Sequence, residues 1–158
     1  MKNINGKIES WDERAIILAK KVTFKFSRFA IFLVYFWFGA LKVFGYSPAS
    51  ELVSALLGRT LTGVSPENFL VALGAFEVIL GIMFIIPGLE RLAILFLGLH
   101  LITTVMPLFL LADLTWQGFM IPTLEGQYII KNILIIAVAT GILSHLHFLK
   151  ANQSKENV

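Results

Sequence analysis

The chain has 158 residues, 57% of them apolar and 15% charged, with a formal net charge of +3 and no cysteine. So little charge beside so much apolar side chain excludes an ordinary soluble globule, in which roughly 25% of residues are charged. The weak basic excess sits mainly near the chain ends rather than in a patch suited to nucleic acid, and the lack of cysteine removes disulfides, thiolate metal sites and thiol chemistry.

Residues 1–23 read as an N-terminal segment on the cytoplasmic side. Ser10-Trp11-Asp12-Glu13 has the spacing of a helix-capping box. It opens a short amphipathic stretch with Trp11, Ala15, Leu18 and Val22 on one face, as expected of a helix lying in the membrane interface. The first apolar stretch follows, about Phe24 to Tyr46. It starts late, is long and aromatic, and lacks a small-residue cleavage site, so a removed signal peptide is not expected.

Three more apolar stretches run about Phe69–Pro87, Leu92–Ala112 and Tyr128–Leu149. Each approaches or exceeds the ~20 residues needed to cross a ~30 Å hydrocarbon core. None alternates like a barrel strand, and backbone groups in lipid must be satisfied within the segment. The expectation is an all-α integral membrane protein, a four-helix transmembrane domain over 24–149 with a disordered tail over 150–158. Ten of the 13 Lys and Arg residues flank the side bearing both termini: seven from Lys2 to Arg28, then Arg91, Lys150 and Lys155. Arg59, Lys42 and Lys131 belong to the opposite side, so both termini are expected in the cytoplasm.

Between the spans, Ser65-Pro66-Glu67 reads as a cap and first turn of the second span, and Pro87-Gly88 as a tight turn joining spans two and three. The outer connections, about Ser47–Asn68 and Asp113–Gln127, read as loops. Trp116 and Phe119 in the second suit an aromatic belt.

The ionisable residues inside the spans are the site candidates. Glu77 lies near the middle of span two, where a lone acidic residue costs roughly 2.5–3.5 kcal/mol to insert, and such residues normally have a partner. Gly74 and Gly81 share its helical face and permit close helix approach. The face therefore packs against protein, either as a proton relay or ligand anchor or as a buried pair that fixes packing. Lys42 and Lys131 are its candidate partners, or else they snorkel to the outer headgroups. Arg28, Tyr35 and Lys42 recur every seven residues, with Gly39 on nearly the same face; Gln127, Lys131 and Asn132 cluster where span four opens.

His100, mid-span in the third stretch, precedes Thr103, Thr104 and Pro107. A hydrogen bond across helices is the expectation, with the threonines satisfying the carbonyl loosened by Pro107. Haem is not expected, because His145 and His147 sit at the other end of span four and offer no axial ligand at that depth. The run Tyr35-Phe36-Trp37-Phe38 suits lipid contact and packing, or stacking on a quinone ring. No phosphate loop, dinucleotide motif, nucleophile triad or metal-ligand spacing occurs, so no catalytic residue is nominated and an enzyme acting alone is the least supported reading.

The stretch Arg28–Tyr46, with Tyr35-Phe36-Trp37-Phe38-Gly39-Ala40-Leu41-Lys42-Val43-Phe44, resembles the first span of DoxX-like membrane proteins. Glu77-Val78-Ile79-Leu80-Gly81 and Glu125-Gly126-Gln127-Tyr128-Ile129-Ile130-Lys131-Asn132 resemble their second and fourth spans. The resemblance covers roughly Phe24 to Gly141 and is closest to the reactive-chlorine-resistance branch. It implies a four-helix inner-membrane bundle tied to redox or oxidant-stress physiology, in a group where some relatives serve as membrane subunits linked to quinol or thiosulfate oxidation. The chain departs from the pattern in a short first outer loop and in Asn132, where many relatives carry an acid. The expected site joins Glu77, Lys42 and Lys131, with His100 and Asn132 nearby, and would hold a quinone head group or another small molecule. The expected partners are the lipid bilayer, a membrane redox subunit and further copies of the chain. A small transporter for protons or a solute, and a purely structural subunit, are the two competing readings.

Overall fold

The computed structural model describes residues 2–61 and 63–156. Helix α1 runs without a break from Lys2 to Val43. α2 spans Ser50–Thr60, α3 Pro66–Ile85 and α4 Glu90–Val105. The short α5, Pro107–Leu110, and α6, Ala112–Thr115, precede a two-stranded hairpin of β1, Trp116–Gly118, and β2, Ile121–Pro122. α7 spans Leu124–Ile130 and α8 Asn132–Glu156. Four segments are long and apolar enough to cross a membrane: Val22–Val43, Pro66–Ile85, Glu90–Leu110 and Leu124–His145.

The four long helices close into a ring in which α1 packs on α3 and α8, and α4 packs on α3 and α8. Leu80, Phe84, Ala93, Leu97, Leu101 and Ile142 fill its centre with Ile31 and Tyr35. The outward positions are equally apolar. Trp37, Ile79, Leu95, Ile102 and Leu134 are each about 60–65% exposed, while Glu77, Glu90 and His100 lie at 5–7%. A soluble protein distributes these types the other way.

Local sequence explains the helix ends. The Ser65 hydroxyl accepts from the Asn68 N–H at the start of α3, with Pro66 in the first turn, where its missing N–H removes no bond. Gly88 takes φ +90 in the turn between α3 and α4, a conformation that suits glycine. Thr123 caps α7 by accepting from the Gly126 N–H, and its own hydroxyl donates to the Leu114 carbonyl at 2.9 Å.

Several expectations are corrected. Residues 2–23 do not form a separate element starting at Ser10; they continue α1. α8 passes Leu149 and reaches Glu156 in the stretch expected to be a tail, whose last two residues lie outside the described residues. Both outer connections carry structure, α2 in the first and the hairpin in the second. Trp116 anchors that hairpin by donating its indole N–H to the Leu108 carbonyl at 3.0 Å. The hydroxyls of Thr103 and Thr104 donate to the His100 carbonyl at 2.7 and 3.0 Å. That oxygen lies a turn earlier than the one Pro107 loosens, because a side chain reaches back three or four residues from its own position.

Candidate functional site

A close backbone contact between two long helices positions the site. α1 and α3 run antiparallel and touch through backbone. A Cβ added to Gly39 would lie 2.7 Å from the Gly74 carbonyl oxygen, and one added to Gly74 would lie 2.6 Å from that of Gly39. At Gly81 the same test meets the Phe36 nitrogen at 2.9 Å. Only glycine permits this approach. It brings residue 42 of one helix beside residue 77 of the other.

The Lys42 ammonium donates to Glu77 Oε2 at 2.6 Å. The second carboxylate oxygen, Oε1, lies 3.2 Å from His100 Nε2 on α4. The lysine side chain is 12% exposed, the glutamate 7% and the histidine 6%. Glu77 thus joins three helices with one carboxylate. The Tyr35 ring meets His100 edge-on at 5.4 Å between centroids, Phe76 lies 5.8 Å away, and the Thr104 hydroxyl is 3.4 Å from Nε2. A donor at Nε2 facing the carboxylate assigns the ring its proton on that nitrogen.

Lys131 stands apart. It is exposed, with its ammonium over the Tyr128 ring at 5.0 Å from the centroid. On α7 the buried positions are Gly126 and Ile129. Residue 131 follows Ile129 by two positions, and two helical steps carry it about 200° around the axis. Asn132, half-buried, opens α8 beside it. The expected trio of Glu77, Lys42 and Lys131 is therefore replaced by Glu77, Lys42 and His100.

A second buried ion pair escaped sequence reasoning. Arg28 Nη1 lies 2.7 Å from Glu90 Oε1, with side-chain exposures of 14% and 8%. Its remaining donors reach the Phe84 and Ile85 carbonyls at 2.7 and 2.9 Å. Those carbonyls lie in the last turn of α3, where no helical N–H is available to them. Glu90 Oε2 also accepts from the Gly88 N–H at 2.8 Å, so the pair laces the turn between α3 and α4 onto α1. The signal was present: Arg28, Tyr35 and Lys42 form one stripe, and each faces a polar group on α3 or α4. Near the same end Phe24 stacks on His145 at 4.4 Å, far along the chain from His100.

Comparison of the chain with protein-family models, curated proteins and solved structures gave no match. The chemistry of the site rests on its geometry. A lysine, a carboxyl group and an imidazole within hydrogen-bonding distance offer a small polar molecule both donors and acceptors. Among the described residues no group of three or more His, Asp or Glu side chains could hold a metal ion. A groove of about 610 Å³ with apolar lining lies between α4 and α8, bordered by Leu97, Leu101, Phe109, Ala139 and Leu143. None of the three charged-site residues borders it.

Proposed function

We propose that this chain is a multi-pass protein of the bacterial cytoplasmic membrane, with both termini in the cytoplasm, acting as an accessory to membrane redox chemistry or oxidant-stress resistance. Its buried polar site takes a quinone head group or a similar small polar molecule and holds or releases a proton with it. The DoxX-like stretches named above support the physiological side of this reading. The observation that carries the chemical side is the joining of Lys42, Glu77 and His100 from three helices inside an apolar bundle. Ionisable groups are expensive at that depth and are kept where they serve a ligand or a proton. A carbonyl or hydroxyl head group could exchange hydrogen bonds with Lys42 and His100 while Glu77 neutralises them.

A second reading, a small transporter for protons or a solute, draws on the donor–acceptor chain from Lys42 through Glu77 and His100 to Thr104. One experiment separates the readings. A deletion strain is challenged with hypochlorite and complemented with wild type or Glu77→Gln, with membrane levels followed by blotting. Rescue by wild type and failure of a normally inserted Glu77→Gln supports the proposal. Full rescue by Glu77→Gln reduces the triad to packing. Absence of any oxidant phenotype removes the redox assignment; proton flux in proteoliposomes that is lost in Glu77→Gln then establishes transport.

A further inference from the structure

We propose that Tyr35 contacts the molecule bound at the Lys42–Glu77–His100 site, its phenolic hydroxyl donating to a carbonyl oxygen of a quinone ring; this rests on the quinone reading above. Tyr35 lies past the middle of the span Val22–Val43, on the stripe of α1 that also carries Arg28 and Lys42. Its Cβ sits beside Gly81 of α3, where an added carbon would lie 3.3 Å away. From there the ring meets His100 of α4 edge-on, with 5.4 Å between centroids. The residue is 5% exposed.

The charged groups beside it satisfy one another. Lys42 donates to Glu77 Oε2 at 2.6 Å, and Glu77 Oε1 lies 3.2 Å from His100 Nε2. Two polar atoms are left over. Every fully enclosed side-chain oxygen and nitrogen among the described residues has a hydrogen-bond partner. The Tyr35 hydroxyl and His100 Nδ1 have none among those residues, so both atoms belong to the 5% and 7% of these side chains that stay open. The edge-on ring contact keeps the two within reach of one small molecule.

Packing alone does not call for a tyrosine here. A phenylalanine would make the same contacts with Gly81 and His100, and Phe32 and Phe36 on the same helix carry no hydroxyl. Burying a hydroxyl without a partner costs free energy, and the hydrocarbon core of a bilayer supplies no partner. A phenol donates as well as accepts, whereas a quinone oxygen only accepts. Tyr35 therefore offers the donor such a ring requires, and a quinone that meets it leaves the Lys42–Glu77 pair intact. A site that commits a donor to a ligand oxygen discriminates against a ring lacking that oxygen.

The test uses full-length protein in dodecyl maltoside micelles, titrated calorimetrically with duroquinone (tetramethylbenzoquinone) against protein-free micelles. The chain has no cysteine, so no thiol adds to the quinone. Tyr35→Phe keeps the ring and removes only the oxygen. The expected result is an affinity lower by about three- to tenfold, the worth of one hydrogen bond to a neutral acceptor. The thermal unfolding midpoint of Tyr35→Phe should stay equal or rise, because an unpartnered hydroxyl is gone. Durene, the same methylated ring without oxygens, should bind both proteins equally weakly. Saturable wild-type binding of duroquinone that changes less than about twofold in Tyr35→Phe overturns the proposal and leaves the quinone reading standing. A lowered midpoint together with weaker binding of both probes also overturns it, by assigning the hydroxyl to packing. No duroquinone binding by the wild type overturns the quinone reading and the Tyr35 contact with it.

Discussion

Neutralising one member of the Lys42–Glu77 pair tests whether the site is desolvated. Glu77→Gln leaves the Lys42 ammonium with an amide oxygen in place of a carboxylate, and both side chains are at most 12% exposed. Removing one partner of a buried pair costs about 3–5 kcal/mol, because the other charge is left without compensation. The amide keeps one hydrogen bond, so a loss of about 3 kcal/mol is expected. Lys42→Met should cost less, since the His100 ring stays 3.2 Å from the carboxyl group and keeps a hydrogen bond to it. The double substitution Lys42→Met with Glu77→Gln leaves no charge to compensate and should cost about 1 kcal/mol, well below the sum. The assay is reversible unfolding of purified protein in mixed detergent and dodecyl sulfate micelles, followed by far-ultraviolet circular dichroism. Additivity within about 0.5 kcal/mol would mean the two groups do not act as a pair, and a loss under about 1 kcal/mol in Glu77→Gln would mean that water reaches them. Either result refutes the reasoning.

Three further outcomes follow from the same packing. Gly74→Ala forces α1 and α3 apart, since the added carbon would lie 2.6 Å from backbone; a loss of about 1–3 kcal/mol is expected in the same unfolding assay, whereas Gly98→Ala, which meets nothing within 4 Å, should be neutral or stabilising by up to about 1 kcal/mol. Arg28→Ala removes the guanidinium that holds two α3 carbonyls and Glu90; it should cost about 3 kcal/mol or more and speed proteolysis at the Pro87-Gly88 turn, measured by limited digestion in micelles. Asp113→Asn breaks the exposed pair with Arg59, whose side chains are 51% and 59% exposed, so its effect on the unfolding midpoint should correspond to less than about 1 kcal/mol.

What could be read from sequence was local. The four apolar segments, the Ser65 cap and the Pro87-Gly88 turn are set by residue type within one helical turn, and they lie within a few residues of where they were expected. The choice among polar partners was not local. Lys42 and Lys131 look equivalent in sequence, each a lysine just inside an apolar span, yet one binds Glu77 and the other faces outward over Tyr128. A helix that is apolar all round carries no stripe to announce its inner face. Its rotation is set by what it packs against, here the backbone contact of Gly39 with Gly74 and the inward turn of Ile129 and Ile142. The pairing of Arg28 with Glu90 across 62 positions, and the arrival of His100 at the far oxygen of Glu77, were decided only when the helices closed into a ring, because buried charges seek whichever partner the packing brings within reach.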